Sequence, residues 1–230
     1  MVELHVVQGP YVTEGPIRVA IPSGAERLTV LIGLHSPLRR QRTAALLWPT
    51  ASVSRGAGNL RSALWRLRTA GLDLIADVEG RLRLSPQVTV DVWALDPPPG
   101  QPTVDIVDSL PFLSRAPFLA DALNVLPGWY DDWLVEDRER IRGLALDGLD
   151  LLSDRLRHAG RSAEAIEAAL LAAACDPLRE SSQIALVRAY LEEGNVVEAR
   201  RAYAEYQRQL GTDVGIGPSP ELTLMISSAD

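Results

Sequence analysis

Asn59-Leu60-Arg61-Ser62-Ala63-Leu64-Trp65-Arg66-Leu67-Arg68 interleaves leucines at 60, 64 and 67 with arginines at 61, 66 and 68. At about 100° per residue, Ala57, Leu60, Leu64 and Leu67 fall on one face of a helix, its natural core side. The opposite face collects Arg55, Asn59, Ser62 and Arg66, spaced i, i+4, i+7 and i+11. The helix is predicted to start near Ser52 or Ser54 and to run to Ala70, where Gly71 ends it. Its polar face holds two arginines that can fork onto guanine or phosphate, an amide that can pair with adenine, and a small hydroxyl. Arg61 and Arg68 sit on its flanks, placed for a nucleic-acid backbone rather than for bases. An ordinary solvated face mixes charges of both signs. This one has no acid.

Reading outward, a preceding helix is expected from about Leu38 to Trp48, with Ala44, Leu47 and Trp48 inward and Pro49 as its stop. It opens on Arg39-Arg40-Gln41-Arg42, where guanidinia and the helix dipole both favour phosphate. Before it, Pro22-Ser23-Gly24 introduces a first helix with Ser23 as its cap and Leu28, Leu31, Ile32 and Leu34 as its apolar stripe. Residues 2–21 alternate and are punctuated by Gly9-Pro10 and Glu14-Gly15-Pro16, which predicts two or three short antiparallel strands. After the quoted stretch, Leu74–Asp77 and Arg81–Leu84 flank Glu79-Gly80, a hairpin signal, and Val88 to Val92 supplies one more strand. Arg81 and Arg83 alternate with Leu82 and Leu84, so one side packs while the other presents two guanidinia, as a wing entering a minor groove would. Short strands, three helices and a hairpin, in that order, make a winged helix-turn-helix.

The charge distribution agrees. Residues 1–95 hold 11 arginines and 7 acids, a balance of +4, whereas residues 96–230 hold 12 arginines and 23 acids, a balance of −11. From Arg27 to Leu72 there are eight arginines and no acid. One module therefore faces a polyanion and the other faces something else. All 23 basic residues are arginine, which excludes the Gly-Lys of a nucleotide-binding phosphate loop. No nucleophile stands near a base in any recognisable motif, so no enzyme is expected. His5, His35 and His158 are too scattered for a metal site, and no cofactor is implied. The single Cys175 allows no intrachain disulfide and fits a reducing cytoplasm. Neither a secretion signal nor a membrane span is expected. Trp48, Trp93, Trp129 and Trp133 read as packing residues; Trp65 lies off the core face of its helix.

Asp96-Pro97-Pro98-Pro99-Gly100-Gln101-Pro102 is a stiff stretch, and residues 96–126 are read as linker and irregular segment. From residue 127 the pattern is helical. Gly160-Arg161-Ser162-Ala163-Glu164-Ala165 recurs as Gly194-Asn195-Val196-Val197-Glu198-Ala199, with Gly, Glu and Ala all displaced by 34 residues, the tetratricopeptide period. About five helices are expected between Asp132 and Leu210, followed by a Gly- and Pro-punctuated tail. The acidic run Asp131, Asp132, Glu136, Asp137 and Glu139 begins the first of them. It reads as dipole capping or, more sharply, as a docking face for a basic partner. The fold class is thus mainly α with small β elements: a winged helix-turn-helix over 1–95 and a tetratricopeptide-like domain over 127–230.

Leu46-Leu47-Trp48-Pro49, the stretch from Asn59 to Arg68, Gly128-Trp129-Tyr130-Asp131-Asp132-Trp133 with Arg138-Glu139-Arg140, Asp176-Pro177-Leu178-Arg179-Glu180 and Gly217-Pro218-Ser219-Pro220-Glu221 together resemble one family, the Streptomyces antibiotic regulatory proteins. The resemblance spans about residues 2–225. It implies an OmpR-type winged helix joined to a bacterial transcriptional activation domain. It also implies binding to direct repeats in double-stranded DNA as a side-by-side homodimer, and recruitment of RNA polymerase holoenzyme through its sigma factor, often at biosynthetic gene clusters. By the same resemblance Arg40 and Arg42 would touch phosphate, Arg55, Asn59, Ser62 and Arg66 would lie in the major groove, and Arg81 and Arg83 in the wing. The basic run Arg39 to Arg42 departs from relatives that carry acids there. Neither the ATPase and sensor modules of larger members nor regulation by nucleotide is expected. The rival reading is an interaction adaptor whose repeats do the work, and the acid-free run from Arg27 to Leu72 speaks against it.

Overall fold

The computed structural model describes residues 2–7, 9–94, 129 and 131–229. In chain order the first part contains β1 (Val2–His5), β2 (Tyr11–Glu14), β3 (Ile17–Ala20), α1 (Glu26–His35), β4 (Leu38–Arg39), α2 (Arg40–Leu47), α3 (Val53–Thr69), β5 (Ile75–Val78), β6 (Arg81–Leu84), β7 (Val88–Val90) and a 3-10 turn, Asp91–Ala94. Strands β1 to β3 form an antiparallel meander, and β7 returns alongside β1 in parallel, giving the order β3-β2-β1-β7. The wing is a separate sheet, β4-β6-β5.

Helix α1 lies between these layers. Leu28, Thr29, Val30, Leu31, Ile32 and Gly33 are all buried, so the helix is covered on more sides than its expected stripe required. The close approach of sheet and helix explains Gly33: a Cβ there would stand 2.8 Å from Leu4 Cδ2. Ser23 does not cap this helix. Ala25 occupies the cap position without a side-chain bond, and Gly24, at φ 81°, turns the chain into it.

The second helix begins two residues later than its sequence pattern indicated. Leu38 and Arg39 are extended and pair with Leu82 and Arg81. The first amides of a helix have no intrahelical partner, so a neighbouring strand can claim this end at little cost. Trp48, expected inward, is the half-buried residue that closes α2. On α3 the buried residues are Gly56, Leu60, Ala63, Leu64 and Leu67, with Ala57 half-buried, so the core arc is rotated slightly from the expected one. The wing turn is as read: Glu79 and Gly80 both have positive φ, 53° and 74°, the geometry of a two-residue hairpin loop. Of Val88–Val92, only Val88–Val90 is strand.

Asp91 closes this unit from inside. Its carboxylate accepts from the amides of Val6 (3.1 Å), Val7 (3.1 Å) and Val92 (2.8 Å). Burial pushes the carboxyl up to about 7, against those three hydrogen bonds, which pull it down.

The second part contains α4 (Asp132–His158), α5 (Ser162–Cys175), α6 (Glu180–Glu192), α7 (Val196–Asp213) and α8 (Pro220–Ser227). Four helices, rather than about five, lie between Asp132 and Asp213, because α4 runs unbroken through Gly143 and Gly148. Ile141, Ala145, Leu149, Leu152 and Leu156 recur at helical spacing and are all buried, which holds the helix across both glycines. The fifth helix, α8, starts at Pro220, where the tail read over Gly211 to Pro220 ends. The 34-residue repeat is structural. Gly160 and Gly194 take left-handed φ, 73° and 80°, before α5 and α7, and Ala165 and Ala199 are each fully buried where the helices pack. Contacts divide the chain into two compact units. The first comprises the N-terminal residues together with the start of α4 to Glu139, and the second runs on from Arg140. The linker expected over 96–126 lies outside the described residues.

Within the first unit, part of the acidic start of α4 is engaged by α1. Arg27 pairs with Asp131, and His35 Nε2 lies 2.6 Å from Asp137 Oδ2, with its ring edge-on to Trp133. Dipole capping does not account for those two acids. Among the described residues no helix is long and apolar enough to cross a membrane. No group of three His, Cys, Asp or Glu among them is placed to hold a metal ion.

Candidate nucleic-acid interface

Helix α3 is fixed by its leucine face and by Ser52, whose hydroxyl accepts from the Arg55 amide at the N-terminus. Burying Leu60, Leu64 and Leu67 leaves Arg55, Ser62 and Arg66 exposed and Asn59 half-exposed. Arg61 and Arg68 are exposed as well. Trp65 is 64% exposed, which is exceptional for an indole on a packed helix. The exposed arc is therefore wider than the four-residue stripe, and Trp65 belongs to it. Its position off the leucine face was the sequence signal. Arg66 has a partner that no local pattern shows: its Nη1 donates to the Ser23 carbonyl at 3.2 Å.

The wing follows the alternation of its sequence. Leu82 and Leu84 are buried while Arg81 and Arg83 are exposed. Tertiary pairing adds β4 on its other edge, which sets Arg39 directly opposite Arg81. Like charges at paired strand positions repel, and neither arginine has an acid partner among the described residues. The Arg40 amide donates to Gly80 O (3.1 Å), and its guanidinium donates to Asp77 Oδ2 (2.5 Å), which ties the start of α2 to the wing. Arg42 is exposed in the first turn of α2. Of the ten residues proposed from sequence for this surface, eight are arginines, and Arg40 is the one ion-paired to an acid among the described residues.

A helix-turn-helix with a basic wing, followed by helical hairpins with a 34-residue repeat, defines a class: a two-part chain with a winged helix-turn-helix head and a helical-repeat domain. Comparison with known proteins gives the family. The model of the bacterial transcriptional activator domain matches residues 113–228, and the chain belongs to that family, as its motifs implied. It is a family of transcription regulators and not of enzymes. Among solved structures, Mycobacterium tuberculosis EmbR, determined in complex with a low affinity phosphopeptide, superposes with a TM-score of 0.65 at 19% identity. The alignment covers 99% of this chain and 64% of that one, so the chain spans about two-thirds of EmbR and shares its fold over that length. No curated protein sequence matches the chain.

Proposed function

We propose that this protein is a sequence-specific, DNA-binding transcriptional activator of the cytoplasm. Residues 1–95 act as an OmpR-type winged helix, and residues 127–230 as the activation domain, joined by 96–126. Arg55, Asn59, Ser62 and Arg66 read bases in the major groove. Arg39, Arg40, Arg42 and Arg61 grip phosphates, and Arg81 and Arg83 enter the minor groove. Two copies sit side by side on direct repeats, and the helical domain recruits RNA polymerase holoenzyme through its sigma factor, at promoters that include a biosynthetic gene cluster. One observation carries the reading: eight of the nine arginines on α2, α3 and the wing lack an acid partner among the described residues, a field that a polyanion would neutralise.

The test uses the full chain. Footprinting upstream of its neighbouring genes should reveal a protected direct repeat, and in vitro transcription from that promoter should rise on adding the protein. Affinity for the repeat should fall steeply with salt, as several phosphate contacts require. Equal affinity for duplex at low and high salt would leave an interaction adaptor as the better reading.

A further inference from the structure

Trp48, Trp93, Trp129 and Trp133 are half-buried, whereas Trp65 is 64% exposed. Its indole makes no ring contact and no hydrogen bond with another described residue. Large aromatic rings gain most from being covered, and tryptophans left open on a surface concentrate where partners bind.

The ring stands in the middle of the arginine field of α3. At about 100° per residue, Trp65 lies about 140° from Leu60 and about 160° from Leu67, so it points away from the core. On that side its neighbours are Gly58 at about 20°, Arg61 at about 40° and Ser62 at about 60°. Helical side chains lean towards the N-terminus, so the indole overlies the turn that carries Arg61 and Ser62. That turn is bare. A Cβ at Gly58 would meet one group within 4 Å, the Arg61 guanidinium at 3.8 Å. With no side chain at 58 and a small hydroxyl at 62, a partner can reach the helix backbone beside the ring.

The surroundings narrow what covers it. Arg55, Arg61, Arg66 and Arg68 share this exposed arc, and none has an acid partner among the described residues. The occupant must therefore carry negative charge and, within reach of the same turn, an apolar group for the indole. A DNA major groove offers both. Its flanking phosphates meet the guanidinia, and the apolar substituent that its base edges present is the C5-methyl of thymine.

We propose that Trp65 is a base-reading residue whose indole packs on a thymine methyl in the major groove. The proposal rests on the DNA-binding reading of α3 and adds a thymine contact to the four polar residues assigned there.

The experiment lets the full chain select its preferred sequence from a pool of random duplexes. The selected duplex is then remade with thymines replaced one at a time by deoxyuridine, which lacks only the methyl. At one such position the parent protein should bind roughly fourfold more weakly, the loss expected for one buried methyl. Trp65→Ala should bind the thymine duplex more weakly by at least that factor and no longer distinguish uracil there, with its helical circular dichroism unchanged. Trp65→Phe keeps an apolar ring and should keep the distinction. Failure to select any sequence refutes DNA recognition by this chain, and this inference with it. Specific binding that no uracil replacement weakens overturns this inference alone. So does a Trp65→Ala variant that binds like the parent, or one weakened equally on thymine and uracil duplexes, which would set the ring against the DNA backbone or another protein.

Discussion

The arginines of the helix-turn-helix and those of the helical hairpins are chemically identical and keep opposite company. In the second unit Arg157 holds Asp154 and Glu192, Arg179 holds Asp147 and Asp150, and Arg161, Arg201 and Arg208 each pair with a glutamate three residues away. In the first unit Arg39, Arg42, Arg55, Arg61, Arg68, Arg81 and Arg83 lie exposed with no acid partner among the described residues. The acid nearest in role, Asp91, is buried and committed to three backbone amides, so it cannot neutralise them. One region has cancelled its charges within the fold; the other leaves them open, as the proposed contact with DNA requires. Exposed like charges cost the free protein a little stability and return it on contact with a polyanion.

The largest expected effect falls on that buried acid. Asp91→Ala strands three amides and should destabilise the first unit by roughly 3–5 kcal/mol, measured by urea unfolding. The wild-type contribution also has a pH sign. The folded-state value is raised to about 7, so the folded protein holds the proton more tightly than the unfolded chain does. Stability from this group is full below the ordinary aspartate range and is lost as pH rises through about 7. Unfolding midpoints across neutral pH should fall with increasing pH, and Asp91→Asn should flatten the slope.

Next in size, Arg55→Ala should weaken binding to the target repeat by about 1–3 kcal/mol and leave thermal stability unchanged. Arg66→Ala should lose a similar amount of binding; unimpaired binding by both variants would move the recognition face elsewhere on α3. In the second unit the same kind of change acts on the fold instead. Arg157→Met leaves Asp154 and Glu192 uncompensated and should cost about 1–2 kcal/mol of stability, with DNA affinity unaffected. The smallest effect is the most diagnostic. Arg39→Gln or Arg81→Gln removes a cross-strand repulsion and should stabilise the free protein by roughly 0.2–1 kcal/mol. The same variants should lower the salt slope of DNA binding by about one unit. If either variant is less stable than the parent, the two charges were not in conflict and the contrast between the regions fails at the wing.

Sequence alone determined what depends on neighbours along the chain. The leucine face of α3, the alternation of Arg81 to Leu84, the turn at Glu79-Gly80 and the displacement of Gly160 to Gly194 are periodicities within one element or one repeat, and each appears as its pattern requires. The exposure of Arg55, Ser62 and Arg66 follows from the same helical geometry. What only the tertiary structure decided joins residues far apart. Leu38 and Arg39 became strand because Leu82 and Arg81 were beside them, β7 joined β1 in parallel across the whole winged helix, and Arg66 found the Ser23 carbonyl. Arg40 was neutralised by Asp77, 37 residues on, whereas its neighbour Arg39 was set against another arginine. Backbone periodicity fixes which way a side chain faces, but its charge environment depends on which distant residues the fold places next to it.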